Sequence, residues 1–167
     1  MLNDMIEGVK IFSNVTLVTI NNVSALNRGR IFRKLSECGI NLDMISQSPC
    51  FGGDITLSFT LPDADLAKTL EAIAEFKKEY ERIEVHIWSN NIIISFFGAQ
   101  MLNSPGIAAS VFEAFSRGGD NSEGEGGDGR EINIVLVTTS DISISCLIAK
   151  SDEVKAMKML QEHGLAV

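Results

Sequence analysis

The clearest pattern along the chain lies at residues 54–61, where Ile55, Leu57, Phe59 and Leu61 alternate with Asp54, Thr56, Ser58 and Thr60. A period of two with one apolar and one polar face predicts a half-buried strand. Residues 141–148 repeat the device, with Ile142, Ile144, Cys146 and Ile148 set against Asp141, Ser143, Ser145 and Leu147. Upstream of each strand lies a second matched run, residues 40–48 and 132–140. Both begin Ile-Asn and end in small polar residues. Copying over several elements in a row predicts an internal duplication.

A helical pattern precedes each of these runs. Ile31, Phe32, Leu35 and Cys38 in the first copy, and Ile107, Val111, Phe112 and Phe115 in the second, fall at i, i+3, i+4 spacing. Phe32 matches Phe112 at an offset of 80 residues, whereas the Ile-Asn runs match at 92, so the second copy carries twelve extra residues before its second strand. They fall in residues 118–131, which hold six of the fourteen glycines and no apolar residue, and so predict a mobile loop.

Each copy continues into a second helix. Leu66, Leu70, Ile73, Phe76 and Tyr80 follow the cap candidate Asp63, and Val154, Met157 and Leu160 follow Ser151 and Asp152. Strands at 15–20 and 92–97 open the two copies, and a strand at 83–88 closes the first. Strand, helix, strand, strand, helix, strand is the split βαβ, or ferredoxin-like, order. The second copy runs out of chain before its last strand. Residues 5–12, with Ile6, Val9 and Ile11, are expected to cross over and supply it. The expected organisation is a first module at 13–90 and a second at 91–167 that residues 1–12 complete.

Composition bounds the partners. A chain of 167 residues with 45% hydrophobic and 22% charged content is long enough for two small cores. Its net charge of −8 leaves no basic face for a phosphate backbone or an anionic membrane, so neither nucleic acid nor membrane is an expected partner. No stretch reaches the length of an apolar span and the first residues carry no secretory pattern, which makes the cytoplasm the expected location. Cys38, Cys50 and Cys146 are odd in number and widely spaced, as reduced thiols are.

Four segments resemble the regulatory region of aspartokinase, or the short regulatory subunit that some aspartokinases possess. They are Ile6-Glu7-Gly8-Val9, Ile40-Asn41-Leu42-Asp43-Met44-Ile45, Gly98-Ala99-Gln100-Met101-Leu102-Asn103-Ser104-Pro105-Gly106-Ile107-Ala108, and Thr139-Ser140-Asp141-Ile142-Ser143-Ile144-Ser145-Cys146. The resemblance implies an α+β fold of two tandem ferredoxin-like ACT modules, each βαββαβ, with antiparallel sheets and helices on one face. It also implies sheets paired between subunits in a homodimer, and an amino-acid effector, lysine- or threonine-like, held where strand-to-helix loops meet neighbouring strands. A separate kinase catalytic subunit is the further partner it implies. The chain departs from the family pattern in its first module, where Asn22-Val23-Ser24-Ala25-Leu26-Asn27 lacks the Pro-Gly pair of Asn103-Ser104-Pro105-Gly106 and is one residue longer.

A helix N-terminus offers free backbone N–H groups and the positive end of a dipole, which suits a carboxylate. On that basis Asn22, Ser24 and Asn27 in the first module, and Asn103 and Ser104 in the second, are candidate ligand-binding residues; Asn133 and Ile134 join them because the resemblance implies that this part of the second module takes part in ligand binding. Asp43 and Gln47 are candidates for the ammonium group.

Other motifs carry less. Residues 124–129 fit G-x-G-x-x-G but follow a helix, precede a strand and bear acids where phosphate would sit. Asp120, Glu123, Glu125 and Asp128 lack the spacing of a calcium loop, and His86 and His163 have no partners at metal-ligand spacing, so no metal or cofactor is expected. No catalytic residue is expected either. Phosphate transfer to aspartate needs a nucleotide-binding domain, and the two modules occupy the length available.

Overall fold

The structure, a computed structural model, describes residues 6–50, 52–99, 101, 105–117 and 131–165. Among them run β1 (Gly8–Ser24), α1 (Arg28–Glu37), β2 (Ile45–Gln47), β3 (Asp54–Pro62), α2 (Leu66–Glu79), β4 (Glu84–Phe97), α3 (Ile107–Arg117), β5 (Ile134–Thr139), β6 (Ser143–Ala149) and α4 (Glu153–Glu162). The expected loop at 118–131 lies outside the described residues except for Glu131. No helix among the described residues is long and apolar enough to cross a membrane.

The chain divides into two compact units, residues 14–90 and residues 1–13 with 91–167. Both β1 and β4 pass from one unit to the other. At those passages Asn14 and Asn90 take the left-handed conformation, with φ of 59° and 63°. Asparagine enters that region more readily than most other side chains. Residues 5–12 and 15–20, read from the sequence as separate strands, therefore belong to one continuous β1 from Gly8 onward; the runs at 83–88 and 92–97 merge likewise into β4.

Within residues 14–90 the strands lie in the order β2-β3-β1-β4. β1 pairs antiparallel with β3 from Val15↔Pro62 to Ser24↔Asp54, with a slip between Ile20 and Val23 where Asn22 also has a positive φ of 58°. A residue inserted into one strand of an antiparallel pair makes a bulge and re-aims the side chains beyond it. β2 is short, pairing Ile45↔Phe59 to Gln47↔Leu57, because residues 40–44 are needed for the turn out of α1. The core gathers Val18, Ile20, Ile31, Leu35, Leu57, Phe59 and Ile73, with Phe32 edge-on to Phe59 at 6.3 Å.

The other unit repeats the plan in the order β5-β6-β4-β1. β4 and β6 pair without a slip from Asn91↔Ala149 to Phe97↔Ser143. The core of Ile92, Ile94, Phe96, Val111, Phe115, Cys146 and Leu160 takes in Ile6 and Val9, and Phe96 meets Phe115 edge-on at 6.1 Å. The Glu7 amide donates to the Phe97 carbonyl at 2.7 Å. Each unit is thus a four-stranded antiparallel layer with its two helices, the split βαβ plan read from the duplicated pattern.

Helix ends explain where elements stop. After α1 the Gly39 amide donates to Ser36 O and the Ile40 amide to Leu35 O; after α4 the Gly164 amide donates to Gln161 O and the Leu165 amide to Leu160 O. Gly39 and Gly164 have φ of 70° and 69°, so both helices close with the same glycine-dependent motif, and Ile40 and Leu165 fold back into their cores. Asp63 does not cap α2. A short 3₁₀ turn at Asp63–Asp65 moves the helix start to Leu66, and the Asp63 carboxylate instead accepts from Thr16 Oγ1 at 2.5 Å.

Candidate functional site

The bulge in β1 and the start of α1 lie beside the junction of α2 and β4. Asn22, in its left-handed conformation, points Nδ2 at the Arg82 carbonyl at 3.1 Å. Asn27 occupies the cap position of α1, yet its side chain does not cap the helix; Oδ1 accepts a hydrogen bond from the Tyr80 hydroxyl at 3.3 Å. Ser24 lies between them at the end of β1. These three candidate residues line one cavity of about 270 Å³ with Asp54, Tyr80 and Arg82.

The cavity carries both signs of charge. Arg82 donates to the Asp54 carboxylate at 3.3 Å, with 83% of the arginine side chain exposed. Glu79 and Glu81 add two more carboxylates to the lining, and Arg30 holds Glu79 at 2.9 Å. An exposed ion pair of this kind contributes little to folding. Its groups therefore remain available to exchange partners.

Gln47 stands outside the cavity but is tied to the same helix start, accepting from Arg28 Nη1 at 3.2 Å. Asp43 is exposed and is not part of the lining; its amide donates to Thr60 O at 3.1 Å. In the other unit, Asn133 and Ile134 line a separate cavity of about 280 Å³ with Phe112, Ser116, Glu131 and Ile132, where the Ser116 hydroxyl donates to Glu131 at 2.6 Å. Asn103 and Ser104 lie outside the described residues.

The sequence reading overlooked Asp54, Tyr80 and Arg82. Asp54 fell on the polar face of a strand and Tyr80 on the apolar stripe of a helix, which are sound local assignments. Only the split βαβ order, which brings the start of β3 and the end of α2 to the β1–α1 corner, assigns them to a shared cavity. Three further titratable groups lie outside the cavity. The Lys34 ammonium, 2.6 Å from Glu75, has its pKa raised by that hydrogen bond, and Glu75 is lowered by the same contact. Burial alone pushes the Cys146 thiol up to about 12, which keeps it protonated and inert. Among the described residues no three His, Cys, Asp or Glu side chains gather into a metal-binding group.

Comparison with known proteins places this geometry. A family model of the ACT domain matches residues 27–76 and 129–163, together half of the chain. The aspartokinase of Geobacillus stearothermophilus is 30% identical over 165 residues, which cover 97% of this chain and 37% of that protein. The chain spans about a third of the length of the curated aspartokinases it matches. Among solved structures, the ligand-free regulatory subunit of aspartate kinase from Thermus thermophilus superposes with a TM-score of 0.79 at 21% identity, covering 95% of this chain and 97% of that one. A chain from a structure of aspartokinase alpha and beta subunits does so with a TM-score of 0.77 at 23% identity, covering 96% and 99%. With two units of the split βαβ plan and a family model that matches elements of both, the chain belongs to the ACT-domain family and resembles the regulatory part of aspartokinases.

Proposed function

We propose that this chain is a non-catalytic regulatory protein that binds an amino-acid effector, lysine- or threonine-like, and passes the binding event to an aspartokinase activity in the cytoplasm. The observation that carries the reading is the corner cavity. It sets Arg82 beside Asp54, and adds the Asn22, Ser24 and Asn27 side chains at the start of α1. An α-amino acid presents a carboxylate and an ammonium a short distance apart, and paired opposite charges with amide and hydroxyl groups are the chemistry that recognises both. The lining supplies groups for holding a ligand, which is why the reading is regulatory. Asn133 and Ile134, at the second cavity, are assigned to effector binding as well, in an assembly where two copies pair through their sheets.

Binding regulates only by preferring one arrangement of the protein over another. Isothermal titration calorimetry of the chain against the twenty amino acids tests the reading. Saturable heat with one or a few of them is the expected result, and silence with all twenty removes effector binding.

A second reading is favoured by one comparison. The chain taken from the aspartokinase alpha and beta subunit structure has nearly the same extent as this one, with 96% and 99% covered. On that reading the chain is a structural subunit for a separate catalytic chain and binds no ligand itself. Affinity capture from the source cells distinguishes the two: an aspartokinase catalytic chain that co-purifies whether or not amino acids are present favours the structural subunit.

A further inference from the structure

The corner cavity backs onto a larger groove, about 550 Å³, between α1 and α2. Phe76 and Glu79 line both spaces, whereas Tyr80 lines only the cavity and Arg30 only the groove. Phe76 and Glu79 thus form the shared wall, and Tyr80 and Arg30 touch beside it from the two sides. The Tyr80 ring stacks on Phe76 at 4.5 Å, and the Arg30 guanidinium lies 5.4 Å over the Tyr80 ring. Arg30 Nη1 donates to the Tyr80 hydroxyl, and Nη2 reaches Glu79 at 2.9 Å. The hydroxyl in turn donates to Asn27 Oδ1. A chain of hydrogen bonds thus runs from the cap position of α1, through the first residue beyond α2, back to the first turn of α1.

Asn27 is the odd member of this chain. Asparagine at a helix cap position ordinarily satisfies a first-turn amide with its side chain, and here that side chain is committed to Tyr80 instead. Any ammonium that enters the cavity and seeks the Asn27 carbonyl oxygen competes with the phenol for it.

We infer that Tyr80 is the residue through which occupancy of the cavity reaches the α1–α2 pair. The ligand ammonium replaces the Tyr80 hydroxyl on Asn27, and the displaced phenol carries Arg30 and Glu79 with it, loosening the end of α2 from the start of α1. This rests on the amino-acid reading of the same cavity and adds to it a route of transmission. In the ligand-free protein the Tyr80 hydroxyl opposes binding, since it occupies an acceptor that the ligand needs.

The test uses the full chain and Tyr80→Phe, which keeps the ring on Phe76 and removes only the hydroxyl. Two measurements are made. In calorimetry against the twenty amino acids, Tyr80→Phe binds the wild-type effector about 2- to 10-fold more tightly, the equivalent of one ordinary hydrogen bond. In amide hydrogen exchange of the ligand-free proteins, the variant exchanges about 2- to 10-fold faster at residues 28–31 and 77–80, and at wild-type rates in β3. Unchanged or weaker binding overturns the inference, as does unchanged exchange at those two helix ends. Should wild type bind no amino acid, the proposed function falls, while the exchange measurement still decides whether Tyr80 fastens the two helices.

Discussion

The backbone amide of Glu7 donates to the carbonyl of Phe97 across 2.7 Å, fastening the beginning of β1 to the end of β4. Around that bond Ile6 and Val9, 6% and 9% exposed, pack into the same core as Phe96, Phe115 and Leu160. Residues ninety apart in the sequence thus complete one sheet, and the first prediction follows from that dependence. Ile6→Ala is expected to cost about 2–4 kcal/mol, the usual loss for emptying a buried aliphatic site. Hydrogen exchange should report the loss in residues 91–165 and leave residues 15–85 nearly unchanged; equal loss in both units refutes the dependence.

Gly39 and Gly164 close α1 and α4 in a conformation that side chains with a Cβ resist. Gly39→Ala and Gly164→Ala are each expected to destabilise the protein by about 1–2 kcal/mol, the cost of a left-handed L-residue. A Cβ at Gly39 meets nothing within 4 Å, so at that site crowding does not add to the cost. Urea denaturation of both variants measures it.

Arg82→Ala is expected to leave the melting temperature within a few degrees of wild type, because its partner Asp54 is met at the surface. The same change removes the cationic group of the cavity. Effector binding should weaken about 10-fold or more in calorimetry, in keeping with the loss of a charged hydrogen bond. A variant that binds as wild type does assigns the carboxylate of the ligand to other groups.

Cys146 supplies a pH dependence. Burial penalises the thiolate and pushes its pKa in the folded protein up to about 12, well above the ordinary thiol value of 9.0. Above that lower value the unfolded chain gives up a proton that the folded chain retains, so stability is complete below about pH 9 and falls as pH rises, by up to about 1.4 kcal/mol per unit. Cys146→Ala abolishes this slope. Urea midpoints for both proteins at pH 8 and pH 10 should show wild type losing about 1 kcal/mol more than the variant over that interval.

Much of this fold is legible in the sequence where one face of an element is polar. In β3, Ile55, Leu57, Phe59 and Leu61 are buried as their alternation requires. The alternation is no guide in β1, where Val15, Thr16, Leu17 and Val18 are buried in succession, nor at Leu147, a fully buried residue read as lying on the polar face. The α2 stripe holds at Leu66, Ile73, Phe76 and Tyr80 and departs only at Leu70, for a chemical reason. Thr69 is buried because its hydroxyl donates to Asp65 O, and Leu70 is left 37% exposed. Ile142 and Val154, read as core, stand 56% and 80% exposed, the first in the turn before β6 and the second in the first turn of α4. The cavity residues were half visible. Asn22, Ser24 and Asn27 announce a helix entry, but Arg82 and Tyr80 join them only through contacts some fifty to sixty residues away in sequence.

The passage of β1 and β4 between the units has a temporal consequence. On a chain made from its N-terminus, residues 14–90 hold every strand and helix of their own sheet, so that unit can close before residues 91–165 are complete. The segment that carries Ile6 and Val9 is made ahead of that unit, and its neighbours Phe96, Phe115 and Leu160 come after it. For the interval of synthesis in between it is a strand with an open edge and bare aliphatic side chains, the kind of surface to which chaperones and stray strands attach. Until Phe97 has been made, the Glu7 amide has no such acceptor and the aliphatic side chains beside it stay uncovered.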